Sequence, residues 1–437
     1  MCRGMVLSAS TRYYTPVSLL GSLTLAMPAS YGHNSGRVDA KRFASVLSDR
    51  YTHKMHLVYV GYLGFRPEAG TGYHLSVALA RHMPVSYVNP PLSLKRWLEL
   101  RARWSQMPDV QLSVLSVVVP GEFRFLPRRW RQRPLDWWMT PWLARRLRQY
   151  PRETLILWMS HIGLARHLRR VLRPRLACYH RVDDFGAMDN AQKPLEQALE
   201  EDADLIFAVS PNLVAQHRQR GRDAILLPNG VDIGLFSQAI EGELLVPEDL
   251  ACIPHPRVGF IGWLIPYWID IELMLEIARL RPDWSLVLIG PKVAWEPPLL
   301  PPNVHLLGFR PYHQLPNYLK GLDVCLVPFK DNAITQGASP LKLYEYLAAG
   351  RAVVSTPVPD LPTFGDLVWQ AHTAQEFVRA IEDALASAHD PILQQRRIEA
   401  VRPHSWEARA ETVMYHLRQA LGDTAISAAL PQAPRPQ

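Results

Sequence analysis

Apolar residues along this chain gather in short, nearly unbroken runs. Longer stretches separate the runs, and in these the apolar positions recur every three or four residues. Unbroken runs bounded by turn residues predict strands buried on both faces, and the helix-spaced stretches predict crossover helices. In the first half the runs fall at residues 56–61, 85–88, 154–159, 177–182 and 205–209, with a shorter one at 225–227. In the second half they fall at 258–262, 284–290, 303–308, 323–328 and 352–355. Helical spacing covers 73–82, 271–280, 315–320, 341–349, 373–389 and 405–421, and Asp270 stands where it can cap the second of these. Two successive blocks of alternating strand and helix predict an α/β chain with parallel sheets.

Pro228-Asn-Gly-Val-Asp232 is turn chemistry between the blocks. The expected organisation is a first domain at 55–236, a second at 237–402, a final helix at 403–424 and an Ala- and Pro-rich disordered tail at 425–437. Residues 1–54 read as a poorly ordered leader or an extension. An apolar stretch at 17–27, preceded by Arg12 and followed by Pro28-Ala-Ser, keeps a signal peptide as the alternative. No run reaches the roughly 18 apolar residues of a membrane-spanning helix.

The 437 residues suffice for two cores, and 48% hydrophobic with 20% charged residues excludes a disordered chain. Cys2, Cys178, Cys252 and Cys325 form no Cys-x-x-Cys pair, so neither a zinc site nor a disulfide framework is predicted. Cys178 and Cys325 lie in strand-like runs and read as reduced core residues, in keeping with a cytoplasmic protein. The net charge of +8 suits an anionic membrane, a nucleic acid or a diphosphate ligand. Eight of the 48 Lys and Arg residues sit in a segment that opens at Phe123 and closes at Arg148, with Trp130, Trp137, Trp138 and Trp142 among them. Aromatic residues interleaved with Arg fit a peripheral membrane contact. The alternative is a core-facing helix with a solvated basic face. No nucleic-acid motif accompanies the charge, so no nucleic-acid partner is expected.

Candidate chemistry concentrates in three places. In Ser339-Pro-Leu-Lys-Leu-Tyr-Glu-Tyr-Leu-Ala-Ala-Gly-Arg-Ala-Val-Val-Ser355, a helix leads into a strand. Pro340 suits its first turn and Gly350 its left-handed end. Its N-terminus, with the N–H around Leu341, offers free donors and a positive dipole to phosphate. Lys342 adds a charge, and Glu345, three residues on, can accept from a ribose diol; a plain surface ion pair is the other reading. Asp183 and Asp184 close a predicted strand, where open α/β sheets bind ligands. Either can act as a base, or cap the next helix. Gly70, Thr71 and Gly72 belong to a glycine-bearing loop after the first strand that fits an acceptor-side wall and lacks the Gly-x-Gly-x-x-Gly spacing of a dinucleotide site.

Residues 339–355 resemble the donor-site motif of GT-B glycosyltransferases, especially the bacterial enzymes of glycosyltransferase family 4 that build exopolysaccharides. The Pro-Asn-Gly-Val-Asp turn, Pro282-Asp-Trp-Ser and Asn303-Val-His-Leu-Leu-Gly308 resemble other stretches of that family, and the likeness is good over residues 200–360. It implies two Rossmann-like domains facing a cleft, with the last helix crossing back onto the first domain. It implies a metal-independent transfer from a UDP- or GDP-linked sugar, with no cofactor, to a lipid-linked or polysaccharide acceptor at the inner membrane face. By the same resemblance Gly262, Phe309, Arg310, Thr335, Gln336, Pro340, Leu341, Lys342 and Glu345 hold the donor. An aspartate of the first domain, Asp183 or Asp184, would be the base if the reaction inverts.

The chain also departs from that pattern. Retaining members carry a glutamate eight residues before the position of Glu345, and here that residue is Gly337. The loop after Gly262 reads Trp-Leu-Ile-Pro-Tyr-Trp in place of the usual Arg and Lys-Gly. A nucleotide-sugar epimerase and a non-catalytic binding subunit are therefore alternatives to a transferase.

Overall fold

Each predicted buried run forms a strand in the computed structural model, which describes residues 55–422 apart from 91, 94–96, 99–110, 117, 120–138 and 298. The expected leader at 1–54, the tail at 425–437 and the aromatic–basic segment up to residue 138 lie outside the described residues.

The strands of the first domain are β1 His56–Val60, β2 Val85–Val88, β3 Leu92–Ser93, β4 Leu112–Leu115, β5 Val118–Val119, β6 Leu155–Met159, β7 Leu176–Arg181, β8 Leu205–Ala208 and β9 Ile225–Leu226. Seven of them form one parallel sheet in the order β4-β2-β1-β6-β7-β8-β9, and β3 pairs with β5 beside it. The second domain holds β10 Arg257–Ile261, β11 Ser285–Ile289, β12 Val304–Gly308, β13 Val324–Val327, β14 Ala352–Ser355 and β15 Val368–Gln370. These six form a parallel sheet in the order β12-β11-β10-β13-β14-β15. β4 and β15, each an edge strand of its sheet, were not among the predicted runs, although β4 is as long as β2.

Register explains why the central runs are apolar throughout. Leu57 and Tyr59 of β1 pair with Ile156 and Trp158 of β6 and point to one face, while Val58 and Val60 point to the other. Helices cover both faces, so alternation has no solvent side to serve. The helices that position the site are α1 Thr71–Leu79, α2 Ile162–Leu172, α3 Phe185–Met188, α4 Pro211–Gln219, α5 Ile271–Leu280, α6 Ala333–Gln336, α7 Leu341–Ala348 and α8 Trp406–Leu421. Asp270 caps α5 as expected, accepting from the Leu273 N–H. Cys178 and Cys325 are buried, free thiols.

Residues 139–147 are helical. Met139, Leu143, Ala144 and Leu147 are buried in the first domain, and Arg145, Arg146 and Arg148 are exposed. For this part of the aromatic–basic segment the core-facing reading holds, because the domain's own sheet already covers the apolar side. Among the described residues no helix is long and apolar enough to cross a membrane.

The chain passes between domains at Pro228–Asp232 and returns at Ser405. The Val231 N–H donates to the His404 carbonyl at 3.1 Å, and the Trp406 N–H donates to the Val231 carbonyl at 3.2 Å. From there α8, capped by the Ser405 hydroxyl, lies on α1 of the first domain. Trp406, Ala410, Val413, Met414, Leu417 and Leu421 complete one face of the first domain's core. The Trp406 ring stacks on His74 at 5.5 Å. Trp406→Ala is expected to destabilise the protein by about 3–5 kcal/mol, the usual loss for a buried tryptophan. Urea unfolding would measure it, and a loss below about 1 kcal/mol would contradict the role given to this anchor.

Candidate active site between the two domains

Residues just past the C-terminal ends of β1, β7, β10, β11, β12 and β13 meet in one cavity of about 430 Å³ between the domains. That is where open parallel sheets bind ligands, because the loops and the following helix N-termini converge there. Of the residues singled out from the sequence, Gly70, Thr71, Gly72, Asp183, Gly262, Phe309, Arg310, Pro340, Leu341, Lys342 and Glu345 line it. Asp184, Thr335 and Gln336 do not.

α7 opens into this cavity. Pro340 stands at its N-cap, with φ −70° and ψ 109°, one residue before the first turn where it was expected. No side chain caps this end, so the first N–H groups are left for a ligand. Lys342 is paired with Glu345 by an ion pair, as the plainer reading had it, but this pair is not on the surface. Glu345 is buried, and Tyr312 also bonds to it. Burial raises the Glu345 carboxyl above its ordinary range, and Lys342 and Tyr312 pull it back only in part. Gly350 ends the helix region with φ +66°, the left-handed turn foreseen for it.

The two neighbouring aspartates have different surroundings. Asp184 caps α3 by accepting from the Ala187 N–H at 2.9 Å. It also meets the Arg181 guanidinium at 3.1 Å and accepts from Gln216 Nε2 at 3.2 Å. Its carboxylate is thus fully engaged in holding β7, α3 and α4 together. Asp183 makes no hydrogen bond or ion pair with any described residue and lines the cavity. Burial, with the charges of Asp184 and Glu196 nearby, pushes its carboxyl up to about 7.

Arg310 lines the cavity with its guanidinium already bound to Asp249, to the Tyr318 hydroxyl and to the Phe309 carbonyl at 2.9 Å. It therefore shapes the wall beside the exposed Phe309 ring. Thr335 closes a capping box with Asn332 and bonds to the Lys330 carbonyl, so its hydroxyl is spent inside the loop. Gln336 is exposed, and its carbonyl accepts from Asn212 of the first domain at 2.7 Å. These two act as loop and interdomain contacts, not as part of the cavity wall. Among the described residues no group of three His, Cys, Asp or Glu side chains is arranged to hold a metal ion.

Two glycines record how closely the domains approach. Gly70 has φ +71°, and a Cβ there would stand 2.6 Å from Leu341 Cδ1 of the opposite domain. At Gly337 a Cβ would lie 3.1 Å from Leu213 Cδ2 and 3.2 Å from Asp184 Cβ. The position that carries a glutamate in the resembled retaining enzymes is thus crowded by the first domain.

A hydrogen-bond hub missing from the sequence reading ties the hinge to the site. Asn229 accepts from the Thr71 hydroxyl at 2.5 Å, and its Nδ2 donates to the Ser339 carbonyl at 2.6 Å. Its carbonyl accepts from Arg409 Nε at 3.2 Å. The Ser339 hydroxyl in turn donates to Asp360, as does the Tyr344 hydroxyl at 2.9 Å. Burial raises the Asp360 carboxyl to about 6 against the pull of those bonds and of Arg409. The Asn229 side chain within the Pro-Asn-Gly turn was the signal available in sequence. Tyr312, whose ring lies tilted against His74 at 4.8 Å across the domain boundary, offered none.

Residues 255–387 match the protein family described as glycosyl transferases group 1. A Bacillus subtilis (strain 168) protein named as a teichuronic acid biosynthesis glycosyltransferase, TuaH, is 29% identical over 208 residues. The match covers 44% of this chain, and the chain spans about half, 51%, of that relative's length. Among solved structures, sucrose-phosphate synthase from Thermosynechococcus elongatus superposes with a TM-score of 0.61 at 18% identity, covering 85% of this chain and 100% of that one. Anabaena HepE in complex with UDP-glucose gives 0.60 at 13% identity, with 84% and 100% covered. Escherichia coli trehalose-6-phosphate synthase bound with UDP-2-fluoro glucose gives 0.61 at 15% identity, with 83% and 99% covered. At these identities the structures speak for the fold alone. The fold is that of GT-B glycosyltransferases, and residues 255–387 resemble the glycosyl transferases of group 1.

Proposed function

We propose that this protein transfers a sugar from a nucleoside diphosphate donor, UDP- or GDP-linked, to a hydroxyl of a lipid-linked or polysaccharide acceptor. The observation that carries this reading is the interdomain cavity. It joins an unpartnered carboxylate, Asp183, from one domain to the open N-terminus of α7 with Lys342 from the other.

In this reading the diphosphate sits on the free N–H groups of α7, and Lys342 turns from Glu345 toward it. Glu345 then accepts from the ribose hydroxyls. Asp183 removes the proton from the acceptor hydroxyl, whose oxygen bonds to the anomeric carbon. The bond from that carbon to the diphosphate oxygen breaks, and its electron pair leaves with the diphosphate. Displacement from the face opposite the leaving group inverts the anomeric carbon. The absence of a carboxylate at Gly337 and the close approach of Leu213 and Asp184 there favour this outcome. The leaving charge is met by Lys342 and the helix dipole, so the scheme calls on no metal. Work at the inner membrane face is supported by the aromatic and basic residues of the sequence from Phe123 to Trp138 and by the net charge of +8. A cell-surface polysaccharide as product is supported by the relative named for teichuronic acid biosynthesis.

The test is release of UDP or GDP from a set of nucleotide sugars, with and without a membrane extract. Release that depends on the extract is the expected result. No release from any donor would overturn the reading in favour of a binding subunit. Equal release without acceptor, with a rearranged free sugar, would favour an epimerase.

A further inference from the structure

Among the described residues the exposed aromatic side chains are Tyr62, Trp263, Tyr267, Phe309 and Tyr415, and all but Tyr415 line the interdomain cavity. Tyr62 is 37% exposed, Trp263 43% and Tyr267 53%, although aromatic rings are normally drawn into a core. Apolar rings grouped on one rim mark a binding surface more often than scattered exposure does. Trp263 and Tyr267 come from the loop after β10 of the second domain, and Tyr62 from the loop after β1 of the first. The domains meet across this rim, since the Arg66 guanidinium stands 5.9 Å from the centre of the Trp263 ring. Tyr62 is held against Phe185 at 4.7 Å, which sets it beside the Asp183–Asp184 turn.

We propose that Tyr62, Trp263 and Tyr267 form a stacking subsite for a pyranose ring of a saccharide acceptor, at the mouth of the cleft beside Asp183. The inference rests on the transferase reading and gives its acceptor side a chemistry. A pyranose ring presents a face of C–H groups, which the negative face of an aromatic ring attracts, and a rim of hydroxyls. The mouth matches both, because Glu68 and Asp183 line it beside the rings and ionised carboxylates accept from hydroxyls. A polyprenyl tail fits it less well, since hydrocarbon offers no hydroxyl to either carboxyl.

Saturation-transfer NMR on the full chain tests this. The probes are the methyl pyranosides of glucose, galactose, mannose and N-acetylglucosamine, and octyl glucoside, each read with and without UDP. Saturation of the ring C–H protons of at least one pyranoside is expected. Trp263→Ala should weaken that pyranoside about fivefold, while Trp263→Phe, which keeps a ring, should stay within about twofold of the wild type. The proposal is overturned if no pyranoside ring is saturated, if only the octyl chain is, or if Trp263→Ala binds as well as the wild type. A protein that saturates the rings but does not bind UDP upholds this subsite and sinks the donor reading instead.

Discussion

Lys342→Ala is expected to weaken UDP binding about 100-fold, or ~3 kcal/mol. The size follows from the surroundings. In the wild type the Lys342 ammonium is already inside the cavity, held by the buried Glu345 carboxylate, so it is placed before the nucleotide arrives. Removing it takes a charge-assisted bond from the diphosphate. It also leaves the Glu345 carboxyl, already raised by burial, without its main opposing cation. That carboxyl then takes up a proton more readily and becomes a poorer acceptor for ribose hydroxyls. Both losses act on the same ligand, which puts the effect above that of an exposed ion pair, worth only about 0–1 kcal/mol. Lys342→Arg keeps the charge and should recover part of the affinity. Calorimetric titration with UDP measures all three proteins, and equal affinity of Lys342→Ala and wild type would remove Lys342 from the phosphate site.

Asp183→Asn should lower the transfer rate about 1,000-fold, within the range a positioned base contributes, and leave UDP bound. Asp184→Asn should stay within about threefold of the wild type, because asparagine caps a helix as well as aspartate does. The base is the ionised form, and the Asp183 carboxyl is pushed up to about 7 by burial and its two acidic neighbours. The wild-type rate should therefore be low in acid, rise with pH through about 7 and level off above it. The Asp183→Asn rate should lack that rise. A wild-type profile flat from pH 5 to 8 would mean that the acceptor proton goes elsewhere.

The sheets were legible because a parallel strand covered on both faces must be apolar throughout. The run at 85–88 coincides with β2, and the run at 352–355 with β14. β15 was not legible, since its three residues include an exposed Gln370 and its place is set by pairing with β14. Helix α7 could be read because Pro340, Lys342, Glu345 and Gly350 each mark a definite position along it or at its ends. The split between Asp183 and Asp184 could not. It depends on Arg181 and Gln216, which come from a strand and a later helix and claim one carboxylate while leaving the other free. Thr335 lies off the cavity wall for a similar reason, since a four-residue helix turns its hydroxyl inward. Asn229 stood in a legible turn, but its partner Ser339 and the partner of Tyr312, Glu345, lie far along the chain, where no local pattern records them.

The crossing of α8 onto the first domain has a consequence for how the chain is made. The last strand of the first sheet ends at Leu226, but the helix that covers one face of that sheet runs from Trp406 to Leu421. At the usual rates of synthesis the interval between them is on the order of 10–40 s. Throughout it, Leu57, Tyr59, Trp158 and Phe207 have a sheet to form but not the lid that keeps water from it. The second domain can close its own core as it emerges, so it is expected to become protease-resistant before the first. A ribosome-bound chain halted short of residue 406 would then be cut in β1, β6 and β8, and the full chain released from the ribosome would resist there.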